Sequence, residues 1–88
     1  MGVIVTYDVP SKHVELKKTL FALGYTDRIV HQNGYIYLPN TTVYHHNKSA
    51  SQARDNVQSI CNQLNIELER CIATQWGPDW AAIHGKPF

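Results

Sequence analysis

Asp8 closes the run Val3-Ile4-Val5-Thr6-Tyr7 and is followed by Val9-Pro10 and then by Ser11, a residue suited to starting a helix. A carboxylate in that position stands at the rim of a sheet. Two such carboxylates brought together by a two-fold axis would bind a hard cation such as Mg²⁺ through oxygen, and the cation would activate water and steady a phosphoryl oxygen. The plainer alternative is a turn aspartate that accepts backbone N–H bonds. Ser11, Lys12 and His13 come next along the chain. Lys12, with Lys17 and Lys18, decorates a helix and makes either a solvated face or a phosphate contact.

The five histidines suggest metal or acid-base chemistry. His45 and His46 are adjacent on a predicted strand, so their side chains point to opposite faces and cannot chelate one ion there. His13, His31 and His84 lack ligand spacing, which leaves protein-coded zinc without support. His13 or His45 would instead serve as a general acid near Asp8. Tyr35, Tyr37 and Tyr44 offer stacking surfaces to single-stranded bases, or else fill a core or interface with their hydroxyls hydrogen-bonded. There is no phosphate-cradling glycine loop, nucleophile elbow or HExxH segment.

Positioning these groups requires a regular frame. The β-branched run 3–7 predicts a strand with Val3, Val5 and Tyr7 on one face and Ile4 and Thr6 on the other, which places it centrally in a sheet. Leu16, Leu20 and Leu23 recur at helical spacing between an expected cap at Ser11 and a stop at Gly24. Residues 35–38 and 41–46 flank Pro39-Asn40 and predict the main hairpin, with 27–32 as an approach segment before the tight-turn dipeptide Asn33-Gly34. Ala53, Val57, Ile60, Cys61 and Leu64 form a second helical stripe, capped by Ser49 or Ser51 and ended by Asn65 in the left-handed conformation. Alternation over 66–74 predicts a last, half-exposed strand.

The resulting order is strand, helix, strand, strand, helix, strand. It predicts an α+β fold of ferredoxin-like βαββαβ type, a four-stranded antiparallel sheet with two helices on one face. Residues 1–76 form that domain and 77–88 a C-terminal tail. The sheet face away from the helices stays uncovered unless a homodimer or the tail with Trp76 and Trp80 covers it.

Eighty-eight residues, 43% of them hydrophobic, suffice for one small domain. No apolar run reaches the roughly 20 residues that cross a bilayer. The start MGVIVTYD lacks the features of a signal peptide, so a cytoplasmic protein without a membrane anchor is expected. In that setting Cys61 and Cys71 are reduced thiols, and the sequons at Asn40 and Asn47 go unused. Eight Lys plus Arg against seven Asp plus Glu give a net charge of +1. Such a balance withholds the broad basic footprint of a protein that binds nucleic acid by neutralising phosphates, and any such binding must be local or made by a dimer.

The segment Val3-Ile4-Val5-Thr6-Tyr7-Asp8-Val9, a helix ending Leu23-Gly24, a second helix near Ser49-Ala50 and a strand near 66–74 resemble the small CRISPR-associated second adaptation protein and its virulence-associated protein D relatives. The stretch Leu38-Pro39-Asn40-Thr41-Thr42-Val43-Tyr44 is similar to the hairpin of stand-alone members of that group. The resemblance covers about the first 75 residues. It implies a ferredoxin-like homodimer in which Asp8 holds Mg²⁺ across the dimer, with nuclease activity on RNA or DNA. The expected activity is a Mg²⁺-dependent endoribonuclease of a defence or toxin-antitoxin system. Asp8, His13 and His45 would be catalytic, and Ser11, Lys12, Thr42 and Tyr44 would bind substrate. The chain departs from the group in its low charge and in its tail after Trp76. The competing expectation is a non-catalytic homodimeric adaptor that binds a protein partner through its sheet face and tail.

Overall fold

The computed structural model describes residues 2–32 and 34–87. Its elements are β1 (Val3–Asp8), α1 (His13–Ala22), β2 (Arg28–His31), β3 (Gly34–Tyr37), β4 (Thr42–His45), α2 (Ala50–Gln63) and β5 (Arg70–Gln75). β1 is central in a three-stranded antiparallel sheet of order β4-β1-β5, as its two-sided apolarity predicts. The register opposes Val5 to Val43 and Ala73, and Thr6 to Thr42 and Ile72. Val3, Val5, Tyr7 and Val43 therefore share one face, where they are buried with Leu16 and Leu20 of α1 and with Ala53, Val57, Ile60 and Cys61 of α2. Ile4, Thr6, Asp8, Tyr44, Arg70 and Ile72 lie on the opposite, open face.

The sheet has three strands where four were expected, and the hairpin forms between different segments. β3 pairs with β2, Arg28 opposite Tyr37 and His31 opposite Gly34, in a separate two-stranded ribbon. Asn33 lies outside the described residues; Gly34 opens β3. The turn at Pro39, closed by the Thr42 N–H on the Pro39 carbonyl at 3.1 Å, delivers β4 to β1 instead of folding it onto β3. The place of a fourth strand beside β4 is taken by one residue. Thr26 exchanges two backbone hydrogen bonds with Tyr44, at 2.8 and 2.9 Å. The Thr26 hydroxyl then donates to the Arg28 carbonyl at 2.7 Å and the Asp27 carboxylate takes Arg28 Nε at 2.8 Å. Such local side-chain bonds compete with ladder pairing, and the chain bends off the sheet at Asp27.

Both helices end in the same way. At α1 the N–H of Tyr25 reaches the Leu20 carbonyl and that of Gly24 the Phe21 carbonyl, with Gly24 at φ +94°. At α2 Ile66 and Asn65 make the equivalent bonds to Cys61 and Asn62, with Asn65 at φ 58° as its residue type predicts. These are Schellman motifs, and they tuck Tyr25 and Ile66 into the core. Ser49 caps α2 in a full capping box with Gln52. α1 departs from expectation: its N-cap is Lys12 in the left-handed conformation with no side-chain cap, not Ser11.

The tail runs along the ribbon. The Trp76 N–H donates to the Gly2 carbonyl at 2.8 Å, and the Tyr37 N–H donates to the His84 carbonyl at 3.2 Å. Ile29 and Ile36, opposite each other in the ribbon and nearly buried, pack outside the main core, where they line a depression shared with Trp76, Ala81 and Ala82. Among the described residues no helix is long and apolar enough to cross a membrane.

Candidate functional site

Asp8 is the last residue of β1 and lies opposite Arg70, the first residue of β5. Strand alternation turns Tyr7 into the core and Asp8 outward. Arg70 Nε donates to Asp8 Oδ2 at 2.6 Å, and the side chains are 74% and 52% exposed. The carboxylate raises the guanidinium pKa further, first through the hydrogen bond and then through its charge. Thr6, Ile72 and this pair border a shallow depression of about 150 Å³. Asp8 is thus an accessible oxygen donor beside a cation that presents a planar fork of N–H groups.

The other expected site residues divide between the two faces. Thr42 and Tyr44 lie on the open face with Asp8. Thr42 donates its hydroxyl to Thr6 Oγ1 at 3.3 Å, while Tyr44 sits over Gly2, where a side chain would collide with its phenol. Ser11 and His13 are exposed in the segment joining β1 to α1 and at the first position of α1. Lys12 reaches away, its Nζ donating to the Leu64 carbonyl at 2.8 Å and so satisfying the C-terminal end of α2.

His45 is on the core face and is 7% exposed. Its Nε2 lies 3.1 Å from the Leu23 carbonyl, and its Nδ1 accepts the Asn47 N–H at 3.0 Å. Both nitrogens are used by backbone, which fixes the neutral Nε2–H tautomer. Burial pushes its pKa down, against the Leu23 carbonyl, which raises it; His46 and Lys48 lower it further. The ring also meets Tyr25 edge-on at 4.9 Å, and Tyr25 donates its hydroxyl to Asn56 Oδ1 at 2.8 Å. Burial, reinforced by Cys61 at Tyr7 and by Cys71 at Tyr25, pushes both phenols up to about 12. Cys61 and Cys71 are free thiols with pKa values raised chiefly by burial, which leaves them protonated at neutral pH.

Sequence reasoning missed Arg70 as Asp8's partner, because only the β1–β5 register reveals it. It also missed an aromatic groove of about 500 Å³ between the sheet end, the ribbon and the tail, lined by Arg28, Tyr35, Tyr44, His46, Trp76 and Trp80 among others. The available signal was the Trp76-Gly77-Pro78-Asp79-Trp80 spacing, too irregular for a helix and too aromatic for a solvated tail. No family model, curated protein or solved structure matches the chain.

Proposed function

We propose that this chain is a ferredoxin-like homodimer of the CRISPR-associated second adaptation and virulence-associated protein D group. In this reading it acts in the cytoplasm and cleaves RNA at the Asp8–Arg70 end of its open face. The observation that carries the proposal is the exposed Asp8 carboxylate at the end of the central strand, held against Arg70 at 2.6 Å. A guanidinium fork matches phosphate oxygens as well as it matches carboxylate. Solvent and salt screen an exposed pair strongly, so an arriving phosphodiester can take Arg70 and release Asp8.

The donor chemistry fits Mg²⁺. Asp8 is a half-exposed carboxylate, and Mg²⁺ binds through one or two carboxylates while keeping waters and substrate phosphates as its other ligands. Asp8 would hold the ion, and its chemistry when bound is to activate water and to offset charge on a phosphoryl oxygen. Arg70 orients the phosphate. His13, exposed at the start of α1, is the imidazole this reading uses to carry a proton, because both nitrogens of His45 are engaged on the other face.

The ferredoxin-like assignment takes the Thr26–Tyr44 bridge as the remnant of a fourth strand beside β4. The homodimer rests on the open face, where Ile72 is 68% exposed, and on the outer side of β5, which has no ladder partner among the described residues. A second reading, a protein-binding adaptor using the same face, is favoured by the net charge of +1.

One assay separates the two. Purified wild-type and Asp8→Ala proteins are incubated with single-stranded RNA and with single- and double-stranded DNA, in Mg²⁺ or chelator, with mass followed by light scattering. Mg²⁺-dependent RNA cleavage that disappears in Asp8→Ala while the dimer persists is the expected outcome. Cleavage that survives the substitution removes the proposal, and a dimer inert on every substrate returns the adaptor reading.

A further inference from the structure

The aromatic groove sits at the end of the open face opposite Asp8. Tyr44 pairs with Ile4, four residues before Asp8 on β1, which puts the two regions ~13 Å apart at the ~3.3 Å rise of a strand. Its floor is the pair Trp76 and Trp80, with ring centroids 4.8 Å apart and planes at 42°. Tyr44 meets Trp76 edge-on at 6.4 Å and His31 meets Trp80 edge-on at 5.0 Å. Across the groove, Arg28 lies 5.7 Å from the centre of the Tyr35 ring and 5.1 Å from that of Tyr37.

These rings are not core. Trp76 and Trp80 are only half-buried, and Tyr35 is 51% exposed. The lining contains an arginine and the exposed imidazole of His46 but no carboxylate; the nearby Asp27 is held by Arg28 at 2.8 Å. The volume of about 500 Å³ falls within the roughly 300–1,000 Å³ of small-ligand sites. Rings at several orientations beside a fixed cation suit a flat π-system that carries a negative charge.

We propose that this groove binds an unstacked nucleobase together with its phosphate, the base against Trp76, Trp80 and Tyr35 and the phosphate at Arg28. The proposal rests on the reading of the chain as acting on RNA and deepens it. A single strand anchored by one base in the groove runs along Tyr44, Ile4, Thr6 and Ile72 and presents a phosphodiester at Arg70 and Asp8. Duplex RNA, whose bases are stacked and paired, cannot enter. The small net charge agrees with this, because stacking contributes affinity without phosphate neutralisation.

Both tryptophans of the chain line this groove, so intrinsic tryptophan emission responds to its occupancy; because Trp76 also borders the Ile29–Ile36 depression, the Tyr35 and Arg28 variants assign the response to the groove. The protein is titrated in chelator, where binding is read without cleavage, using an oligoadenylate RNA, AMP and a duplex RNA of equal length, with anisotropy of labelled RNA as a second measurement. Saturable change with the oligomer, and none with duplex, is expected. A response to AMP as tight as that to the oligomer reassigns the groove to free nucleotides and overturns the anchoring of a strand. Tyr35→Ala at an exposed ribbon position and Arg28→Gln at a half-buried one should each weaken the oligomer about fivefold or more. Absence of binding, equal binding of duplex, or unchanged affinity in both variants overturns the inference. The cleavage assay stands apart: an RNA-binding protein that cuts nothing loses the catalytic reading and keeps the groove.

Discussion

Arg70 closes on Asp8 across the first rung of the β1–β5 ladder, so the accessible carboxylate on the central strand and the cation that neutralises it are fixed by one register. If the guanidinium recruits phosphate, Arg70→Ala should raise the KM for RNA more than it lowers kcat, and should flatten the salt dependence of binding. The thermal midpoint should stay close to wild type, because the pair is exposed at both ends. A fall in kcat alone would show that Arg70 does not bind ground-state substrate.

His45 gives the fold a pH dependence. Burial holds its folded pKa below the ordinary value of about 6.5, so the unfolded chain binds more protons as pH falls through that value. The contribution is complete above about pH 6.5 and is lost between there and the lower folded value. Thermal melts from pH 7 to pH 5 should show a falling midpoint, and His45→Gln should flatten that part of the curve. An equal slope in the variant would show that other groups set it.

Gly24 is constrained twice. It holds φ +94°, and a Cβ there would come within 2.9 Å of His45 Nε2. Gly24→Ala should cost at least ~1 kcal/mol in urea denaturation, from backbone strain before the displacement of His45 is added. A loss of only a few tenths would show that neither the backbone at φ +94° nor His45 resists the added Cβ.

Ser49→Ala removes one half of the α2 capping box: the Gln52 backbone N–H loses its acceptor, while the Gln52 side chain keeps the Ser49 N–H. The expected loss is about 1 kcal/mol, read from the denaturation midpoint at unchanged m-value.

If two copies meet on the open face as proposed, Ile72→Lys should leave the chain folded, because the side chain is exposed there, and should shift the mass toward one chain in light scattering. An unchanged dimer would move the interface off this face.

Much of the fold was legible where local and tertiary preferences agree. The two-sided apolarity of 3–7 placed β1 centrally, Ser49 and Asn65 bounded α2, and Gly24 ended α1. Pairing was misread at 27–46, because Asn33-Gly34 and Pro39-Asn40 each offer a reversal and the sequence does not rank them. In the structure the Asp27 carbonyl accepts the Leu38 N–H at 2.9 Å and extends the ribbon, while the side chains of Thr26 and Asp27 bond locally to Arg28. Asp8 was visible from its place at a strand end. Arg70 and Arg28 were not, and the two tryptophans, expected as a cover for the sheet face, were not placed beside the ribbon, because registers and the path of the tail bring these residues together from far apart in sequence.

The single Thr26 bridge also has a consequence for assembly. It occupies the exposed side of β4, while β5 offers the only unshielded hydrogen-bonding side of the three-stranded sheet among the described residues. Two copies joined antiparallel through β5 would consume both available sides at once. Growth would then stop at a closed pair, and the protein would escape the open-ended filaments that a sheet free on both sides can nucleate.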